Sequence, residues 1–309
     1  MFRVYKHHHL TSLGRPPKQA HSSFRAHHRG PKELRHALTR AFASQIPHEA
    51  FLEPLPEHPG ITCLSLNRPA AKNAISTHLL KELRESLAIV HADRSVRALI
   101  LRSSTPGSFC AGADLVERRT MTDAQVSQFL TDLRDAMGRL EGLPMPTICA
   151  IDGPALGGGL EMAMACDLRV ASSTVEKIGL PETGLGIIPG AGGTQRAARL
   201  LGQSRAKDLI FTGRLLTASQ ALEWGLVDYV SDPGTTAFDK ALSLAIMIAR
   251  NAPLAVRAAK HAISRAEDLP LEAGLDFERA TYNLLIPSSD RLEALQAFRE
   301  KRRPIFKGE

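Results

Sequence analysis

Two carboxylates and a run of glycines are the residues here whose types and spacing could do chemistry. Glu161 follows Gly157-Gly158-Gly159 by one residue, and Glu182 follows Gly179-Leu180-Pro181. The glycines come after a short apolar run at 147–151 and an Asp152-Gly153-Pro154 turn, and before a helix-favouring run at 160–166. That order predicts strand, tight turn, helix, with the glycines where strand becomes helix. N–H groups at a helix start have no partner inside the helix, and glycine lets a ligand approach them closely, so an anion or oxyanion site is expected. Glu161 falls in the first turn of a helix whose next residues, Met162, Ala163, Met164 and Ala165, offer no charge partner. Desolvation should raise its pKa, partly opposed by the helix dipole. Glu182, beside a proline and among glycines, suits a rigid loop lining a cleft. Two such carboxylates beside oriented N–H groups point to acid–base chemistry next to a carbonyl. Taken alone, these residues fit equally well a glutamate matched to a helix dipole and a surface glutamate after a proline.

The elements that must position these groups alternate between strand and helix. A strand is predicted over 60–66 and a helix over 76–90, whose Leu79, Leu80, Leu83, Leu87 and Val90 follow the helical period. A second strand at 97–102 leads into a glycine-bearing loop at 103–115, and a polar run to about Ser127 precedes a helix ending near Gly142. Beyond Glu182, Gly190-Ala191-Gly192-Gly193 opens a helix that closes at Leu201-Gly202, followed by a short helix at 205–211. Thr217 is a predicted N-cap and Gly225 its C-terminal stop, with a last strand at 227–230. From residue 237 onward, helices are predicted over 237–250, 253–267, 271–285 and 290–299. The pattern indicates α/β architecture with right-handed crossovers and a site at the strand-to-helix turns.

Composition narrows the function classes. The 309 residues carry a net charge of +7, yet nine of the 39 Lys/Arg and only one of the 32 acidic residues lie in residues 1–48. The remaining 30 basic and 31 acidic residues nearly cancel, so overall charge gives no support for a polyanion-binding face. The basic, acid-poor segment 1–47 has the composition of a mitochondrial transit peptide, with an amphipathic piece at 34–42. No apolar run approaches the roughly 18 residues a membrane helix needs, and no membrane partner is expected. Cys63, Cys110, Cys149 and Cys166 form no C-x-x-C pair and read as reduced core residues, with no zinc site. Phosphate-loop, dinucleotide, H-E-x-x-H and G-x-S-x-G patterns are all missing.

Four motifs in order carry a family resemblance: Phe109-Cys110-Ala111-Gly112-Ala113-Asp114; Ala155-Leu156-Gly157-Gly158-Gly159-Leu160-Glu161; Pro181-Glu182; and Ile188-Pro189-Gly190-Ala191-Gly192-Gly193-Thr194-Gln195-Arg196. Over residues 50–309 the chain resembles the enoyl-CoA hydratase (crotonase) family, and within it the mitochondrial methylglutaconyl-CoA hydratase branch and its hydratase-domain relatives. The resemblance implies a spiral ββα core at 48–236 and a C-terminal helical trimerisation region at 237–309, assembling as a trimer or a dimer of trimers. It implies an oxyanion hole from the backbone N–H groups of Ala113 and Gly158. Glu161 and Glu182 would hold the water, Glu161 accepting its proton and Glu182 protonating the α-carbon, while Gly190 presents an N–H to that water. CoA would lie along Ala71, Lys72, Ala111 and Asp114, with Phe298 and Lys301 near its nucleotide end, from a neighbouring subunit in one arrangement. No separate cofactor and no metal are implied, since CoA belongs to the substrate. The implied activity is hydration of a short or branched enoyl-CoA in the mitochondrial matrix, in leucine breakdown. The alternatives are a short-chain hydratase or isomerase of fatty-acid oxidation and, from another class, an RNA-binding protein with vestigial catalysis. Glu82 and Glu85 on the 76–90 helix argue against RNA.

Overall fold

The computed structural model describes residues 48–309; the predicted transit peptide at 1–47 lies outside the described residues. Six strands form one sheet in chain order: β1 (Ala50–Pro54), β2 (Ile61–Leu66), β3 (Ala98–Ser103), β4 (Thr147–Ile151), β6 (Leu168–Ala171) and β8 (Tyr229–Val230). β1 runs antiparallel to β2, and every later pair is parallel. β5 (Ala155–Leu156) and β7 (Ile178–Gly179) pair in a second, smaller ladder. Single bridges extend that ladder, joining Ile75 to Ala113, Cys110 to Ala155 and Ile178 to Leu216. Each turn of the chain therefore lays one strand in the large sheet, touches the small ladder, and then enters a helix. This is the predicted ββα spiral.

The sheet is buried on both faces, as a parallel sheet requires. Leu64, Leu66, Leu99, Leu101, Cys149 and Ile151 point into the main core with α1 (Thr77–Ala92) and α3 (Asp123–Glu141). The alternate residues Ile61, Cys63, Ala98, Ile100, Ile148 and Ala150 meet α7 (Ala237–Ala249) through Ala237, Ala241 and Ala245. Alanine at every fourth position brings that helix close to the sheet. All four cysteines are buried and free.

Several boundaries differ from the sequence reading. β1 was not predicted, because its five residues end in Pro54; that proline is tolerated because the strand lies at the sheet edge. β6 was also missed, since Arg169 interrupts its apolar run. The fold neutralises this buried arginine with Asp228 at 2.9 Å and the carbonyl of Cys166 at 2.7 Å. α3 starts before residue 127 because Thr122 and Gln125 form a capping box. The short α2 (Leu115–Arg118) precedes it, capped by Asp114. Helix α4 (Gly158–Met164) matches the glycine-run prediction, and α5 (Gly193–Thr212) breaks at Gly202 as expected. Thr217 and Gly225 bound α6 (Ala218–Trp224) as predicted. The last three helices are α8 (Pro253–Ile263), α9 (Leu271–Asn283) and α10 (Ser289–Glu300).

Candidate functional site

The second and third turns of the spiral meet without side chains between them. A Cβ on Gly159 would stand 2.5 Å from the Cys110 carbonyl oxygen, and one on Gly112 would stand 2.9 Å from that of Leu156. Gly112 also has φ +90°, which a side chain would strain. The Ile75 N–H donates to Gly112 O at 2.7 Å, and the Asp114 N–H donates to Ile75 O at 3.1 Å. In such a parallel bridge the intervening Ala113 turns its own N–H to the opposite side, towards the start of α4. There Gly157 donates to Gly179 O, and Gly158, the first helical residue, has no acceptor within the helix. A Cβ on Gly158 would lie 3.7 Å from Ala113 N. The two predicted oxyanion donors are thus neighbours.

Glu161, one turn into α4, is 2% exposed, and its Oε1 accepts N–H bonds from Ala191 at 2.8 Å and Gly193 at 2.7 Å. Burial raises its pKa, opposed by those two N–H groups and by Arg196. Arg196 in turn ties the loop down, donating to Ala191 O at 2.9 Å and pairing with Glu141 at 2.7 Å. Glu182 opens the 3-10 turn Glu182–Leu185 behind Pro181. Burial pushes its carboxyl up to about 7, its own N–H opposes, and the neighbouring Glu161 adds repulsion. Its Oε1 faces the Gly157 backbone, where a Cβ would stand 3.0 Å away, while its Oε2 is buried without a hydrogen-bond partner. The two carboxyls therefore face one space but differ in support, one clamped by N–H donors and the other holding an orphaned oxygen. An acid–base pair beside main-chain donors can polarise a carbonyl and move protons on either side of it.

The structure brings most of the other predicted positions to the same edge. The Ala111 N–H donates to Lys72 O at 3.1 Å, so Ala71, Lys72 and Ala111 form one surface. Asp114 spends its carboxylate on the N–H groups of Val116 and Glu117 and on Arg68 at 2.7 Å. Burial would raise its pKa, but the Glu117 N–H, Arg68 and the Val116 N–H hold it below its ordinary value. Gly190 is exposed, and the N–H groups that reach a carboxylate belong to Ala191 and Gly193. Phe298, 84% exposed, and Lys301 lie at the end of α10, a segment tied to the opposite end of the sheet. There Arg97, just before β3, donates to Phe306 O, and Asp290 accepts from the N–H groups of Lys307 and Gly308. Asn73 was not anticipated. It is fully buried with φ 56°, accepts from Arg68 N–H, and donates to Ser103 and to Phe109 O, fixing the loop before Ala111. Its signal was an asparagine after a proline turn, the residue type that best tolerates the left-handed region. A cavity of about 1010 Å³ between α5, α8 and α9 is lined by Arg196 and Glu141 but by none of the predicted site residues. Among the described residues no cluster of His, Cys, Asp and Glu could hold a metal, and no single helix is long and apolar enough to cross a membrane.

Comparison with known proteins identifies the family of this fold. The family model for enoyl-CoA hydratase/isomerase matches residues 57–309. The enoyl-CoA isomerase/hydratase fer4 of Mycosarcoma maydis is 52% identical over 269 residues, covering 84% of this chain and 97% of its own. The human mitochondrial methylglutaconyl-CoA hydratase is 48% identical over 256 residues, covering 82% and 75%. Among solved structures, an enoyl-CoA hydratase from Bacillus anthracis superposes with a TM-score of 0.81 at 45% identity, covering 84% of this chain and all of that one. By motif order, spiral topology and identity across its described length, the chain belongs to the enoyl-CoA hydratase/isomerase family.

Proposed function

We propose that this chain adds water across the α,β-double bond of a short or branched enoyl-CoA thioester, using Glu161 and Glu182 as the acid–base pair. The observation that carries this reading is the asymmetry of the two carboxyls. Two N–H donors favour the ionised form of Glu161, which suits it to take a proton from water. Glu182, raised to about 7, keeps a proton in a large share of molecules at neutral pH and suits delivery to the α-carbon. The resulting hydroxide bonds to the β-carbon, and the negative charge that builds on the thioester oxygen is met by the N–H groups of Ala113 and Gly158. Loss of one such donor costs on the order of 100- to 1,000-fold in rate. Return of a proton from Glu161 to Glu182 completes the cycle.

CoA lies along Ala71, Lys72, Ala111 and Asp114 in this reading, and Phe298 and Lys301 reach the nucleotide end of a neighbouring copy's CoA. Ile263, Leu271, Leu284 and Phe298, all exposed on or beside the C-terminal helices, support residues 237–309 as the trimerisation region of a trimer or hexamer. Residues 48–236 are the catalytic core. Residues 1–47 direct the protein to the mitochondrial matrix, in line with the mitochondrial name of the human relative. The charges of α1 argue against RNA as a partner: Arg84 is paired with Asp132 and Asp135, and Glu82 on the same helix binds the Glu49 and Ala50 N–H groups.

The substrate is of the methylglutaconyl-CoA type, in leucine breakdown. A second reading, a short-chain hydratase/isomerase of fatty-acid oxidation, is favoured by the isomerase/hydratase name of the Mycosarcoma maydis relative. Comparing kcat/KM of the full chain for 3-methylglutaconyl-CoA and crotonyl-CoA separates the two. Hydration at the wild-type rate by both Glu161→Gln and Glu182→Gln would overturn the assigned roles.

A further inference from the structure

The short helix that follows the oxyanion loop ends in a cation without an anionic partner. Arg118 closes α2, is half-buried, and holds its guanidinium 5.7 Å over the ring of Phe129. Both acids beside it are engaged elsewhere. Asp114 caps α2 and pairs with Arg68, and Glu117 turns away to accept the Thr77 N–H at 3.0 Å. Among the described residues no carboxylate lies within ion-pair distance of Arg118.

Its position follows from contacts along one wall. Phe129 and Leu130 are consecutive on α3, and a Cβ on Gly190 would stand 2.9 Å from Leu130 Cδ2. Gly190 immediately precedes Ala191, whose N–H clamps Glu161. The wall therefore runs from Ala113, through Arg118, Phe129 and Leu130, to the loop that holds Glu161. An acyl chain anchored at the Ala113 N–H and passing Glu161 has this wall beside it. At about 1.5 Å per helical residue, Arg118 begins about 6 Å beyond Asp114, a span its own long side chain can cover in turning back. The aromatic face beneath the guanidinium helps to hold it in place, and the fork of donors it carries is the group that recognises a carboxylate bidentately.

We propose that Arg118 is a specificity-determining residue that binds the far end of the acyl chain, so that the preferred substrates are enoyl-CoA thioesters whose acyl group ends in a carboxylate. The proposal rests on the hydratase reading above and adds to it the residue that selects the substrate.

Glutaconyl-CoA and crotonyl-CoA differ only by the terminal carboxylate, so the ratio of their kcat/KM values isolates it. The ratio is measured for the full wild-type chain, for Arg118→Gln and for Arg118→Lys. Arg118→Gln is expected to lower it roughly 10- to 100-fold, the worth of one charge-assisted hydrogen-bonded pair. Arg118→Lys, which keeps the charge but not the fork, is expected to fall between. Normal crotonyl-CoA turnover with an unmoved ratio overturns this proposal alone, as does an equal fall in both values. Hydration of neither thioester by the wild-type chain overturns the hydratase reading and this proposal with it.

Discussion

Replacing Glu182 by glutamine is expected to abolish turnover and yet to stabilise the fold at neutral and alkaline pH. Burial, with added repulsion from Glu161, pushes the folded carboxyl from 4.5 to about 7. The unfolded chain restores the ordinary value, so between these two pH values the folded protein binds more protons than the unfolded one. Stability then falls as pH rises through that window. Below 4.5 both states are protonated and the group contributes nothing, while above about 7 the penalty is complete. One pKa unit is about 1.4 kcal/mol, which gives about 3 kcal/mol for a fully sealed group. This carboxyl opens on the cleft, and discounting by about half for solvent screening leaves about 1–2 kcal/mol. The orphaned Oε2 acts in the same direction, because an ionised oxygen needs donors more than a neutral amide oxygen does. For a chain of this size each kcal/mol moves Tm by roughly 2–4 °C. Glu182→Gln should therefore melt about 2–8 °C above the wild type near pH ~8, with the gap closing towards zero near 4.5. Thermal melts at one fixed protein concentration check this, since assembly makes Tm concentration-dependent. A gap that is the same at both pH values, or a wild type that outlasts the variant at the alkaline end, refutes the reasoning.

The same carboxyls set the activity profile. kcat/KM should fall above about 7 as Glu182 loses its proton, approaching tenfold per unit, with an acid limb above 4.5 where Glu161 becomes protonated; a flat profile across neutral pH would count against both roles. Gly112→Ala should lower kcat on the order of 100- to 1,000-fold, because relieving the 2.9 Å contact with Leu156 O must shift Ala113 or Gly158. Monitoring loss of the enoyl thioester absorbance tests this, and wild-type kcat in the variant would show that the two donors are not the oxyanion hole.

How much of this was legible in the sequence depended on whether a residue's partner was local. The strand-turn-helix around Gly157–Gly159 could be read from an apolar run, a turn and a helix-favouring run in succession, all within one stretch. The raised pKa of Glu161 followed from an apolar helix with no charge partner, and burial is indeed its main cause. The sequence reading names the helix dipole as one group that opposes that shift. Opposition also comes from the N–H groups of Gly193 and Ala191, about thirty residues away in sequence, and from Arg196, which no local pattern reveals. β6 was missed for a similar reason, since Arg169 looks like a surface residue until Asp228, 59 residues on in sequence and just before the neighbouring strand β8, neutralises it. The insertion of Asp152 beneath α7, where it accepts the N–H of Ala237 at 2.6 Å, is another contact of this long-range kind.

The reliance on main-chain groups follows from the spiral itself. Successive turns approach so closely that Gly112, Gly153 and Gly159 face backbone atoms at 2.5–2.9 Å from where a Cβ would sit. At that separation side chains cannot supply the donors, and only N–H groups fit. Their direction is fixed by bridges on the other side of each segment, such as the one joining Ile75 to Ala113. Donors held this way need no rearrangement when charge develops on a bound oxygen, which is the condition for electrostatic stabilisation at low cost. The variable part of the site is then confined to what the ladder does not fix, the wall from Leu115 to Leu130. Differences in acyl preference among proteins of this fold should concentrate there, and Arg118 is a charged residue on that wall held against an aromatic ring with no carboxylate partner among the described residues.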